Sequence, residues 1–141
     1  MTTLHSLIRL KKHELDEVRR AVADLEERGR KLARQRETLE AEITREKEAA
    51  AQDAAARHSL EGYLTAVRHR RAGLERAQTA LQAEIEAANE RLARAFAELK
   101  KFELTQAERD RQARLRAKKR EDQMFDEIAL ETHRRGGGAA R

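Results

Sequence analysis

Along most of this 141-residue chain apolar residues recur at alternating steps of three and four, in two arms that mirror each other about residue 55. The first arm runs through Leu4, Ile8, Leu15, Val18, Val22, Leu25, Leu32, Leu39 and Ile43. The second runs through Leu60, Leu64, Val67, Leu74, Leu81, Ile85, Leu92, Leu99 and Phe102. Weaker residues at Lys11, Gly29, Arg36, Glu46 and Ala50, and at Arg71, Gln78, Ala88, Ala95 and Gln106, complete the seams. This spacing is that of a left-handed coiled coil. Folding the chain back so that paired positions sum to 110 puts Ile8 opposite Phe102, Leu25 opposite Ile85 and Ile43 opposite Val67. Every layer then holds at least one bulky apolar residue, whereas random placement would leave about two layers without one. Lys11, Arg36 and Arg71 can lay their stems over a facing Leu and keep the charge in water. The expected fold is all-α, a long antiparallel two-helix coiled-coil hairpin.

Composition agrees with a seam and not with a globular core. Aromatic residues make up 3% of the chain and charged residues 40%. A two-helix seam buries one stripe per helix and leaves the rest wet. Proline is absent, so nothing forces a break in a long helix. Cysteine is absent too, which excludes disulfides and thiolate sites and fits a reducing compartment. No apolar run is long enough to span a membrane, and the N-terminus has no uninterrupted apolar stretch of the kind a signal peptide needs. Outside the seam, pairs such as Asp16–Arg20, Asp24–Arg28, Glu27–Lys31 and Glu90–Arg94 favour exposed helix.

The expected boundaries are a first helix over 1–50, a turn region over 51–59 and a second helix over 60–135, with a disordered tail at 136–141 begun by Gly136, Gly137 and Gly138. Asp53 and Ser59 are the candidate caps for the second helix. The turn region lacks Gly and Pro, so an alternative is one continuous helix that dimerises. The second arm also outruns the first. After Gln106 a C-terminal helical overhang of about 28 residues has no partner in the hairpin, roughly 40 Å of helix. Its stretch Arg109–Arg120 carries seven bases and one acid, and Met124, Phe125, Ile128 and Ala129 follow as an apolar cluster. A basic helix with an apolar end is the best partner-binding candidate in the pattern.

The residues offer little to catalysis. His5, His13, His58, His69 and His133 form no HExxH and no dense cluster. His13 and Glu17 share a helix face, but two weak ligands do not make a metal site. Gly29, Gly62 and Gly73 stand alone, so there is no phosphate loop, and Gly29 reads as making room opposite Leu81. Ser6 and Ser59 have no base arranged beside them. No enzyme, cofactor or metal is expected. The basic stretch could meet nucleic acid through phosphates, but it has no interleaved aromatics for stacking bases. Tyr63, the one tyrosine, lies beside the seam near the turn, where an amphipathic ring makes a natural contact anchor.

Three segments resemble a known family. SLIRLKKHELDEV near the N-terminus, AFAELKKFE at Ala95–Glu103 and KKREDQMFDEIAL at Lys118–Leu130 are similar to the flagellar export protein J family, the stalk component of the flagellar type III export ATPase. The resemblance implies a non-enzymatic coupling protein. Its termini-bearing end would enter the pore of a hexameric export ATPase, and the other end and flank would meet the cytoplasmic domain of the export gate. It would also assist the recycling of export chaperones. A gap-free match puts the gate-facing surface near Gln35, Leu39, Tyr63 and Val67; Arg70 and Leu74 depart from the family pattern there, and Leu39 and Val67 are also seam positions. At the ATPase end the candidates are Arg116, Lys118, Lys119, Phe125 and Ile128. The implied location is cytoplasmic, peripheral at the inner face of the bacterial membrane, with no nucleic-acid partner. The alternatives are a stalk protein of a virulence type III secretion system and a basic coiled-coil nucleic-acid binder.

Overall fold

A computed structural model describes the backbone of residues 3–139 and the side chains of residues 3–137. It contains two helices, α1 (Leu4–Gln52) and α2 (Ala54–Ala139), of 49 and 86 residues. They form an all-α two-helix hairpin.

Local chemistry sets where the helices start. The Thr3 carbonyl accepts the Leu7 N–H at 3.1 Å, and Thr3 Oγ1 accepts the Ser6 N–H at 3.2 Å. Thr3 is therefore the N-cap of α1. Asp53 does the same for α2. Its carbonyl accepts the Arg57 N–H at 3.1 Å and its Oδ1 accepts the Ala55 N–H at 3.0 Å. Its own N–H donates to the Ala49 carbonyl at 3.1 Å, so Asp53 also finishes α1. Of the two candidate caps, Asp53 is the one used; Ser59 lies inside α2, with its hydroxyl donating to the Ala56 carbonyl.

The turn is thus far shorter than the expected 51–59. Between the two helices only Asp53 is non-helical, and no described residue has a positive φ. Alanine is the strongest helix former, and the flanking alanines extend both helices up to the reversal. At the other end α2 continues through Gly136, Gly137 and Gly138 to Ala139, past the boundary that these glycines suggested; the last two residues of the expected tail lie outside the described residues. Helix propensity penalises glycine but does not forbid it.

The seam forms in the expected register. All nine apolar residues that are buried among the described residues are seam positions: Leu15, Val22, Leu39, Ile43, Ala50, Val67, Leu81, Ala88 and Leu99. Of the remaining seam positions only Arg36 and Glu46 are exposed. A Cβ built on Gly29 would lie 3.7 Å from Leu81 Cδ2, which fixes that layer. The packing forms two compact units, one of Lys12–Phe96 and one of Met1–Lys11 with Ala97–Arg141. In the first, Leu39, Ile43 and Val67 make a buried cluster against which Tyr63, Leu64 and Leu74 pack. Arg71, opposite Leu39, lays its stem on the seam and donates two hydrogen bonds to the Glu40 carboxylate, both at 2.9 Å. Arg36 reaches across to Gln78 at 3.0 Å, and Arg70 to Glu42 at 3.4 Å. In the second unit Leu99 is buried and Lys11 pairs with Glu98 at 3.1 Å.

Candidate protein-interaction surfaces

Two surfaces carry the residues that the sequence singles out. The first lies on one flank of the Lys12–Phe96 hairpin. Gln35 is exposed there and helps to line two shallow, open grooves between the helices. One is bordered by Lys31, Arg34, Gln35, Thr38 and Arg70; the other has Leu32, Ala77, Ala80 and Leu81 among its lining residues. Arg34 leans on Glu27 at 3.4 Å, and Arg70 on Glu42. Tyr63 is half-buried: one part packs on the Leu39–Ile43–Val67 cluster and the rest meets solvent. Leu39 and Val67 are different. They are 0% and 5% exposed and fill the seam itself. Of the four residues expected on this surface, Gln35 and Tyr63 are open to solvent, and Leu39 and Val67 lie beneath Tyr63 in the seam.

The second surface is the part of α2 after Gln106. Every residue from Ala107 to Gly137 is exposed. Arg116, Lys118, Lys119, Phe125 and Ile128 all lie here, with Phe125 at 61% and Ile128 at 55% exposed. Met124, Leu115 and Leu130 are similarly open. Leu115 does not continue the three-and-four stepping of the seam, so nothing in the pattern marks it. No part of the chain described in the structure covers these side chains.

Charge along this stretch is unevenly balanced. Arg111 donates to Glu108 at 3.0 and 2.8 Å, and Gln112 adds a bond at 3.1 Å. These bonds from Arg111 and Gln112 lower the Glu108 carboxyl from 4.5 to about 2, and the same pairing raises the Arg111 guanidinium. Among the described residues Arg116, Lys118 and Lys119 have no carboxylate partner within ion-pairing distance. Their charge is available to an incoming surface.

Among the described residues no three His, Cys, Asp or Glu side chains converge as a metal site, and His13 pairs simply with Glu17 at 3.0 Å. No described helix is long and apolar enough to cross a membrane.

Comparisons with individual curated proteins and with solved structures returned no significant match. A family model does match, over residues 1–138, and that model describes the flagellar FliJ protein. The match takes in both helices, the turn and the exposed stretch beyond Gln106. The chain therefore belongs to the flagellar FliJ protein family, whose function lies in flagellar protein export.

Proposed function

We propose that this chain is the non-enzymatic stalk of a flagellar type III export apparatus, coupling a hexameric export ATPase to the export gate. One observation carries the reading. Within a chain matched to the family over residues 1–138, the hairpin seam buries its apolar residues while residues 107–137 are all exposed, with Met124, Phe125 and Ile128 following the basic run Arg109–Arg120. A helix that buries its seam elsewhere has no internal use for exposed Met124, Phe125 and Ile128. Arg116, Lys118 and Lys119 provide steering charge beside them, and charge of that kind raises the rate of encounter with an acidic surface. This segment is assigned to the ATPase. The Gln35–Tyr63 flank is assigned to the gate, with Leu39 and Val67 acting from below. Export chaperones are further partners of the coupling role, and the chain would sit at the membrane only peripherally, through the apparatus.

The experiment is a binding and activity assay with the purified export ATPase of the same flagellar system. The chain is expected to bind the hexamer and raise its ATP hydrolysis. Replacing Phe125 and Ile128 by Ala should weaken binding at least about tenfold, as loss of apolar anchors does at interfaces. Gln35→Ala with Tyr63→Ala should leave ATPase stimulation intact and reduce binding to the gate's cytoplasmic domain. A chain that neither binds nor stimulates the ATPase, in cells that swim without it, would end this reading.

A further inference from the structure

The heptad phase does not stop at the turn. Seam positions end at Glu46 and Ala50 in α1 and resume at Leu60 and Leu64 in α2. Steps of three, four and three bridge the gap from Ala50 to Leu60, and they land on Asp53 and Arg57. A hairpin has no need of this. Its two helices pack against each other whatever phase the connection carries, so unbroken phase arises by chance roughly once in seven. A single helix running through the turn does need it.

The register then decides what would meet at the centre. Paired positions sum to 110, as the Gly29–Leu81 layer shows. In an antiparallel pair of continuous helices, Asp53 of one copy lies opposite Arg57 of the other, and Arg57 opposite Asp53. A carboxylate faces a guanidinium twice across the two-fold axis.

The connection itself is chemically suited to either state. It reads Ala-Ala-Ala-Gln-Asp-Ala-Ala-Ala from Ala49 to Ala56, with no glycine, no proline and no positive φ. Only Asp53 leaves the helix, and its side-chain bond to the Ala55 N–H is the one side-chain cap that holds the break. Continuing the helix would return the backbone hydrogen bonds that the break gives up.

We propose that the chain has a second, domain-swapped state in which Asp53 becomes helical, α1 and α2 fuse, and a second copy of this chain supplies the other side of the seam. The seam contacts of Lys12–Phe96 are kept, now made between copies, with Asp53 and Arg57 as the central layers. Short hinges between exchangeable elements are the usual site of such swaps. Asp53 is the control point: it caps α2 in the hairpin and sits in the seam of the dimer. In the dimer the turn no longer exists as a free end.

Two substitutions in the full-length chain move the equilibrium in opposite directions. Asp53→Ala removes the cap and inserts the best helix former. Ala54→Pro fixes the first position of α2, where proline is tolerated, and keeps residue 53 out of the helical region, which forbids the fused helix. Mass is read by sedimentation equilibrium from micromolar to millimolar chain, with circular dichroism to verify helix content. Asp53→Ala is expected to dimerise with a Kd at least about tenfold below that of the wild type, and Ala54→Pro to stay monomeric and helical throughout. An Asp53→Ala chain that stays monomeric overturns the swap. So does an Ala54→Pro chain that dimerises as well as the wild type, because association through an exposed surface is indifferent to proline at the hinge. Should Asp53→Ala precipitate, the other pair decides: a dimer in the wild type alone supports the swap, and equal masses overturn it.

Discussion

Leu39 illustrates how a single position can be read two ways. It falls on the gate-facing surface that the family resemblance implies, yet its side chain is 0% exposed and packed with Ile43 and Val67. Loss of gate binding on changing Leu39 would therefore report damage to the seam. Truncating a buried leucine removes its transfer energy and leaves a cavity, so Leu39→Ala is expected to cost about 2–4 kcal/mol in urea denaturation. Gln35→Ala, on the exposed flank, should stay within about 0.5 kcal/mol of the parent. Equal losses from the two substitutions would contradict the burial assigned here. Glu108 gives a prediction of a different kind. Hydrogen bonds from Arg111 and Gln112 hold its carboxyl at about 2. A folded-state value below the unfolded one means that the pairing stabilises the helix above the ordinary carboxylate range, and that this is lost as pH falls from about 4.5 towards 2. Glu108 is fully exposed, so the effect is local. An NMR titration should find its carboxyl ionised well below its neighbours, and Arg111→Ala should raise the midpoint. A midpoint that does not move would remove Arg111 as the cause.

Gly29 separates what a helix needs from what its sequence seems to say. The glycine opposite Leu81 reads as a concession to packing, but a Cβ there would sit 3.7 Å from Leu81 Cδ2, an ordinary contact. Gly62 has nothing within 4 Å, and Gly73 only the far end of Arg76 at 3.9 Å. None has a positive φ. Each glycine then carries only its entropic cost within a helix, so Gly29→Ala, Gly62→Ala and Gly73→Ala together should stabilise the hairpin by about 2–3 kcal/mol. No rise in the urea midpoint would mean that at least one position is tighter than it looks. The seam itself was legible because burial in a two-helix coil follows directly from heptad spacing. Sequence placed Leu15, Val22, Leu81 and Ala88 on it, and the structure buries all four. Boundaries were less legible. Alanine has no turn chemistry, so nothing in Ala49–Ala56 except Asp53 marks where the chain reverses, and a nine-residue turn collapses to one residue. The interaction surfaces were legible only in part. Phe125 and Ile128 stand out as apolar residues with no partner, whereas Leu115 is hidden among bases, and Leu39 and Val67 cannot be told from contact residues without knowing what covers them.

For the chain as a whole, the separation between burial and display allows a decisive cut. Among the described residues every buried one lies at or before Leu99, and every residue from Ala107 to Gly137 is exposed. Stability in a coiled-coil hairpin comes from the apolar area removed from water. Helix 107–139 is held by its own backbone and by solvent-exposed pairs such as Glu108–Arg111 and Glu131–Arg135, which add little to stability. A chain ended at Gln106 should therefore unfold at nearly the urea midpoint of the full chain. Its far-ultraviolet ellipticity per mole of chain should fall by about a quarter, since 33 helical residues follow Gln106 against 49 in α1 and 86 in α2. On the coupling reading, the same cut should abolish ATPase stimulation while gate binding through Gln35 and Tyr63 persists. A loss of more than about 1 kcal/mol would show that the exposed stretch supports the hairpin. Full stimulation by the shortened chain would instead move the ATPase contact from Phe125 and Ile128 onto the paired helices, because those would be the only surfaces left to make it.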